Sequence, residues 1–285
     1  MVTRATRYLA PAKLNLFLHI NGRRADGYHE LQTLFQFIDL ADELEIEPTT
    51  DTAIQLQGDH CDVAPEQNLI VRAARLLQTQ TQTSLGAHIT LHKRLPMGGG
   101  IGGGSSDAAT TLLVLNRLWE TNLSIEQLAL LGRRLGADVP VFIRGHAAFA
   151  EGIGEQLTDA EPDECWYLLL TPPVHVATAF VFNHPELVRN TPKYNLDQLN
   201  CIKTTNDCQT IVSKTYPEVA QALQWLVEYA PARMTGTGSC VFAPFVDERQ
   251  ARAALQLCPT QFAAKVCRGV NHSPLHQQLQ QLGLL

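Results

Sequence analysis

No two of the seven cysteines form a CxxC pair, and their number is odd. A structural zinc cluster and a disulfide framework are both disfavoured, and buried or reactive free thiols suit a reducing compartment. No stretch gathers lysine and arginine, and the formal net charge is −6. A protein that neutralises a nucleic-acid backbone needs a basic face, so that class falls away; a nucleotide ligand needs only a few local donors. Long apolar runs are missing too. Arg4 and Arg7 open the chain, but Pro11, Lys13 and Asn15 interrupt the apolar run beyond them, which denies it a signal-peptide core. The most apolar later segment, Trp166–Leu170, stops at Pro172-Pro173, far short of the about 20 residues a membrane span requires. The expectation is a cytoplasmic protein without nucleic-acid or membrane partners, acting as a monomer or weak homodimer.

What remains is ordinary. A chain of 285 residues, 45% hydrophobic and 18% charged, has the material for one large or two modest domains. Residues 14–20 alternate like a strand and end at the turn signal Asn21-Gly22, and Leu31–Ile38 and Glu43–Glu47 are two further extended candidates. Asn68–Gln78 carries apolar residues at helical spacing behind a capping asparagine. Ala87–Leu91 is a strand, Asp107–Glu120 a helix, and Ser124 with Gln127 opens another through a capping box, ending near Gly136. An acidic, turn-rich stretch at 151–164 marks a boundary, giving domains 1–157 and 158–285. The second half reads as a strand (Trp166–Leu170), helices around Thr178–Phe182 and Pro217–Tyr229, and a strand pair hinged on Gly236–Gly238. A helix (Glu248–Leu257) and a strand (Phe262–Arg268) complete it. The whole is a two-layer α+β pattern.

Between the strand at 87–91 and the helix after Asp107 lie six glycines within seven positions, 98–104. Such a run lets successive amides turn inward with no side chain blocking a ligand, and Ser105 and Ser106 then open a helix whose free N–H groups favour an anion. A phosphate cradle is the reading. Gly98, Gly100 and Gly103 satisfy GxGxxG, yet the acidic residue about twenty positions on, Glu120, ends a helix rather than a strand. Gly104 is followed by Ser105 without the lysine of a P-loop, and neither HRD nor DFG occurs. Ser106 reads either as a plain N-cap or as a magnesium ligand, and Asp107 as complementing the helix dipole or as linked to magnesium.

Phosphoryl transfer to an alcohol needs positioning, charge stabilisation and a proton acceptor. Asp138 in Gly-Ala-Asp-Val-Pro and Lys13 in Pro-Ala-Lys-Leu-Asn are candidates; alone, each reads equally as a solvated surface charge. If paired, Lys13 would hold the carboxylate ionised. Tyr28 and His29 offer adjacent rings on which a planar heterocycle stacks, although core packing explains Tyr28 as well. His88 with His92 and His272 with His276 have no evident third ligand, so no metal site is assigned.

Three segments together are more specific. Pro11-Ala-Lys-Leu-Asn15, Pro96–Ser106 and Thr235–Cys240 resemble the three motifs of the galactokinase, homoserine kinase, mevalonate kinase and phosphomevalonate kinase superfamily, the GHMP kinases. Gly27-Tyr-His-Glu-Leu31, the doubled Gly-Gly-Gly, Gly136-Ala-Asp-Val-Pro140, Arg189-Asn-Thr-Pro-Lys193 and Arg268-Gly-Val-Asn271 resemble its branch acting on a cytidine diphospho-methylerythritol alcohol. The resemblance implies a two-domain α+β fold, the first domain like the second domain of ribosomal protein S5 and the second an α/β sandwich. It implies ATP and Mg2+ as cofactors, a small cytidine diphospho substrate, and phosphorylation of its 2-hydroxyl in the non-mevalonate route to isoprenoid precursors. By it, Lys13 and Asp138 are the catalytic pair. Asn68 and Leu69 approach the adenine, and Pro96, Met97, Gly98, Gly99, Gly100, Ile101, Gly102, Gly103, Gly104, Ser105 and Ser106 surround the nucleotide. Asn15, Tyr28, His29, Lys93, Ile153, Thr178 and Phe182 contact the second substrate, with the cytosine framed by Tyr28 and His29 and Phe182 on its other face. The loop is longer than the superfamily's usual Gly-Leu-Gly-Ser-Ser form, which leaves the phosphate contacts open.

Overall fold

A computed structural model describes residues 6–59, 64–201 and 204–285, without the side chains of 199–201. Arg4 and Cys61 lie outside the described residues.

Two long strands form the backbone of the molecule. β1 (Arg7–Arg23) and β2 (His29–Thr49) pair antiparallel along most of their length. The turn expected at Asn21-Gly22 is not one: the strand continues to Arg23, because Gly22 still pairs with Glu30 across a register shift and Asn21 Nδ2 donates to the Thr191 carbonyl at 2.9 Å. The chain reverses at 24–28 instead, where Gly27 takes a φ of +89°. The two strands expected within 30–47 are one, since β2 runs through them while changing neighbours.

β3 (Ile54–Gly58), unseen in the sequence, runs parallel to β4 (Gly86–His92), which pairs antiparallel with β2. Between them α1 (Leu69–Thr81) starts where Asn68 Oδ1 accepts from Ile70 N at 2.9 Å. Three more helices come after β4: α2 (Gly103–Leu118), α3 (Ile125–Arg133), with its Ser124–Gln127 capping box formed as expected, and α4 (Val139–Arg144). β5 (Ala148–Glu151) and β6 (Gln156–Asp159) then make a hairpin on β2.

The rest of the chain alternates strands and helices: β7 (Trp166–Thr171), α5 (Thr178–Asn183), a 3-10 turn at Leu196–Cys201, α6 (Gln209–Thr215) and α7 (Pro217–Leu226). β8 (Arg233–Met234), β9 (Val241–Phe245), α8 (Glu248–Gln256), β10 (Ala263–Val270) and α9 (Pro274–Gln281) complete it. β10 joins the halves: it pairs with β7 along its length and with β2 at Gly269–Ile38 and Val270–Phe37.

Apolar side chains gather in three clusters. One lies between β2, β4 and helices α1 to α4. A second lies between β7, β9 and helices α6 to α8. The third, at the junction, joins Leu14, Ile38, Leu95, Ile101, Tyr167, Leu169 and Phe242. Ile101 interrupts the glycine run and is 1% exposed. That burial anchors the loop into the core, so it is no flexible linker. α9 packs back on β1, where Gln278 bonds both Leu9 N and the Arg7 carbonyl, and Leu275 and Leu279 enter the first cluster. The five cysteines described in full are free, and burial pushes the thiols of Cys240 up to about 11 and Cys208 up to about 12, leaving them protonated and inert.

Candidate active site

The glycine run leaves β4 by way of Lys93–Pro96. Gly98, Gly100 and Gly102 alternate into positive φ (+67°, +74°, +77°), which a residue with a Cβ adopts only under strain. The alternation turns the carbonyls toward the protein. Gly98 O accepts from Ser239 N, Gly99 O from Cys240 N, Gly100 O from Lys13 Nζ, Ile101 O from Lys13 N and Gly102 O from Ser106 N. None of the amides from Met97 to Ser105 donates to an acceptor among the described residues. A strip with the carbonyls of 98–102 occupied and a row of unused N–H groups at a helix start has the chemistry to receive an anion.

The helix begins earlier than expected, at Gly103 with Gly102 as its cap. That changes the roles of the serines. Ser106 spends its N–H on Gly102, its side chain is fully buried, and its hydroxyl has no partner among the described residues. It lines neither cavity of the site, and the cap position expected of it belongs to Gly102. Ser105 faces outward in its place.

Two cavities meet at this loop. One, about 400 Å³, is lined by Asn68 and Leu69 at the start of α1, by Lys93, by Pro96 through Ser105, and by Asp107. The other, about 310 Å³, is lined by Lys13, Asn15, Phe35, Asp138, Ile153, Thr178, Phe182 and Gly236-Thr237. Gly100, Gly102 and Ser105 line both. The expected nucleotide residues other than Ser106 therefore surround the first cavity. Asn15, Ile153, Thr178 and Phe182 surround the second.

Lys13 stands at the junction. Its ammonium, 3% exposed, donates to Asn15 Oδ1 at 2.5 Å and Gly100 O at 3.1 Å, and lies 3.3 Å from Asp138 Oδ2 and 5.2 Å above the Phe35 ring. Asp138 is the cap residue of α4, but its side chain makes no capping bond and stays directed to Lys13 and the second cavity. The pairing of two residues so far apart in the chain turns them from candidate surface charges into one unit, a buried cation beside a partly exposed carboxylate.

Lys93, expected beside the second substrate, lines the first cavity. Its ammonium is clamped between Asp42 Oδ2 at 2.5 Å and Asp107 Oδ2 at 3.0 Å and faces the first cavity, not the second. Burial alone pushes that ammonium down, but the two carboxylates outweigh it and hold it above the usual lysine range. Burial pushes Asp107 up to about 7 against the pull of Lys93, because Asp42 claims the same cation. Asp42 was invisible to motif reasoning; its other oxygen accepts from Arg94 N and Leu95 N and so fixes the entrance to the glycine run.

The hairpin tip Thr235–Ser239 braces the loop from behind. Thr235 Oγ1 accepts from Asn15 N at 2.9 Å, Ser239 and Cys240 donate to the loop carbonyls, and Gly236 and Thr237 line the second cavity, not the first.

His29 stacks directly on Phe182, with centroids 5.1 Å apart and planes at 26°. No ring fits between them at that spacing, so a base framed by His29 and Phe182 is not available in this conformation. Tyr28, 60% exposed, is not a core residue. Arg189, to which sequence reasoning gave no role, donates from Nε to His29 Nε2 at 3.0 Å and is held by the carbonyls of Phe182, His184 and Leu187. Burial, then Arg189, then Arg23 lower the His29 imidazole below its ordinary range, so it stays neutral with its proton on Nδ1. The motif Arg189-Asn-Thr-Pro-Lys193 was the available signal.

Of the histidine pairs, His92 bonds Glu45 at 3.1 Å and His88 is exposed. His272 precedes α9 instead of sharing a helical face with His276, and its neighbours are His146 and Glu161. A third candidate ligand therefore does stand beside it.

An assembly of β-strands and helices carrying a glycine-rich anion loop, with a lysine–aspartate pair where two cavities meet, is the architecture of a small-molecule kinase of the GHMP class. Residues 68–146 match the model of the GHMP kinases N terminal domain and residues 195–263 that of the GHMP kinases C terminal. The 4-diphosphocytidyl-2-C-methyl-D-erythritol kinase of Tolumonas auensis is 59% identical over 273 residues, 96% of each chain, and that of Shewanella woodyi is 58% identical over 274, again 96% of each. A crystal structure of 4-(cytidine 5'-diphospho)-2C-methyl-D-erythritol kinase superposes with a TM-score of 0.79 at 33% identity, covering 93% of this chain and 99% of that one. Methanococcus jannaschii mevalonate kinase shares the fold alone, at TM-score 0.70 and 16% identity over 95% of this chain and all of the other. The chain belongs to the 4-diphosphocytidyl-2-C-methyl-D-erythritol kinase family, and its two-domain GHMP fold is the one its motifs implied. No helix among the described residues is long and apolar enough to cross a membrane.

Proposed function

We propose that the chain transfers the γ-phosphoryl group of ATP to the 2-hydroxyl of 4-diphosphocytidyl-2-C-methyl-D-erythritol, on the non-mevalonate route to isoprenoid precursors. The observation that carries this reading is the row of acceptorless amides from Met97 to Ser105, lying where the two cavities meet beside Lys13 and Asp138. The relatives' names supply the substrate.

In this reading the triphosphate lies along the amides, with adenine toward Asn68 and Leu69. The alcohol occupies the second cavity with its hydroxyl at the junction. Asp138 takes the hydroxyl proton as that oxygen bonds to the γ-phosphorus; the bond from phosphorus to the β–γ bridging oxygen breaks, and ADP leaves with its electron pair. Lys13 keeps the carboxylate in place and sets positive charge beside oxygens that gain negative charge. Tyr28, with an open ring face, is the stacking partner for cytosine, and the His29–Phe182 stack, locked by Arg189, forms the wall beside it. A divalent ion accompanying ATP fits beside Asp107, whose Oδ1 is buried without a partner among the described residues next to the first cavity; there it would offset charge on the phosphate oxygens. The same reading keeps 1–157 and 158–285 as two domains in a cytoplasmic monomer or weak homodimer; most of one large apolar cluster lies in each, while α9 adds Leu275 and Leu279 to the first and β1 adds Leu18 and Ile20 to the second.

Asp138→Asn tests the mechanism in a coupled ADP-release assay. The variant should retain its stabilisation by ATP and lose about 10²–10⁴ in turnover. Activity equal to the parent removes the base assignment, and phosphorylation of homoserine or mevalonate in preference to the cytidine substrate overturns the substrate.

A further inference from the structure

Away from both cavities, three side chains from distant segments converge. His146 comes directly after Gly145, the residue that ends α4; Glu161 lies between β6 and β7; His272 lies just beyond β10. An isolated antiparallel bridge joins His146 to His272, and Ala147 N donates to Asn271 O at 2.7 Å, so the backbone fixes the two histidines opposite one another. Their rings meet edge to face with centroids 4.5 Å apart. One ligand atom from each of the three residues lies within 4.8 Å of the others.

Hydrogen-bond chemistry asks for a positive centre here. His146 Nδ1 is 2.9 Å from the Ala147 carbonyl, which only accepts, so Nδ1 carries a proton. The neutral ring then presents the Nε2 lone pair to Glu161 Oε1 at 3.0 Å, one acceptor against another. Either a second ring proton or a metal ion resolves that contact. The surroundings resemble the outer shell of a metal centre. The far nitrogen of His146 is tied to a carbonyl, and Asn271 Nδ2 holds Glu161 Oε2 at 2.8 Å while its own Oδ1 accepts from Gln36.

We propose that His146, Glu161 and His272 form a site for a borderline transition-metal ion, Zn2+ above all, with two imidazole nitrogens, one carboxylate oxygen and a water-accessible fourth position. The nitrogen ligands select against the Mg2+ that travels with ATP. A tetrahedral zinc with bonds of about 2.0–2.1 Å holds its ligand atoms about 3.4 Å apart; Glu161 and His272 are exposed and need only side-chain rotation to close that distance. The ion would be structural. It would join the end of α4, the β6–β7 connection and the approach to α9. α9 and its cap already hold the end of α4, through His276 Nε2 on Ile143 O and Ser273 N on Gly145 O, both at 2.9 Å. The helix so clipped is the one capped by Asp138 at its other end.

The test uses the full chain stripped with EDTA, dialysed, and titrated with Zn2+ by calorimetry in excess Mg2+, with Co2+ absorption and thermal unfolding in parallel. One Zn2+ per chain should bind and raise the unfolding temperature. His272→Ala and Glu161→Gln should each weaken binding at least about tenfold and abolish both the Co2+ bands and the thermal shift, while ADP release without zinc stays at the parental rate. Absence of stoichiometric binding, or binding and spectra that both variants leave intact, overturns the site and leaves His146 and Glu161 as an ion pair.

Discussion

Asp107 is the residue whose chemistry departs furthest from its local sequence. A first-turn aspartate normally complements a helix dipole in solvent; here it is buried, shares Lys93 with Asp42, and titrates near 7. The folded chain therefore keeps a proton on Asp107 over the interval from about 4, where the unfolded carboxyl has already lost it, up to about 7. Within that interval this group makes stability fall as pH rises. Asp107→Asn should remove its contribution and leave Lys93 with one carboxylate, so the variant gains stability relative to the parent as pH climbs from about 4 to about 7. Urea unfolding at several pH values measures it, and a stability difference that does not change with pH would refute the assignment.

The element that decides function is the glycine loop, and its geometry is set by what lies behind it. A Cβ at Gly100 would sit 2.4 Å from the Thr235 carbonyl, on a residue with φ of +74°. Gly100→Ala should cost about 1–2 kcal/mol for the left-handed backbone before the clash is counted. Relief requires the loop to part from the hairpin, misaligning the amides, so KM for ATP should rise several-fold as the unfolding temperature falls. Gly136→Ala is the control, since its Cβ would meet nothing nearer than 3.7 Å. Equal ATP kinetics and stability in both variants would mean that the close approach to Thr235 is unimportant.

At the scale of the whole molecule, two cavities meet at a lining they share, Gly100, Gly102 and Ser105. A non-hydrolysable ATP analogue and the cytidine substrate should therefore bind together, each at about 100 times its Kd adding about 2.7 kcal/mol to stability. Thermal unfolding with each ligand and with both checks this; mutual cancellation of the shifts would place both ligands in one space. The junction cluster that joins the halves also seats Ile101, so the glycine run is held in place by the same apolar contacts that join them.

Local chemistry in the chain was enough to reveal the helix caps at Asn68 and Ser124, a glycine run at 98–104 whose amides stay free, and the lysine and aspartate of the proposed reaction, because caps, turns and glycine runs depend on near neighbours. Three-dimensional packing alone put Ser105 and not Ser106 on the cavity lining, turned Lys93 to the first cavity, pressed His29 onto Phe182 under Arg189, and brought His146 to His272. Each of these rests on partners far apart along the chain or on which way a helix faces, and side-chain chemistry carries no record of such distances until the strands are paired.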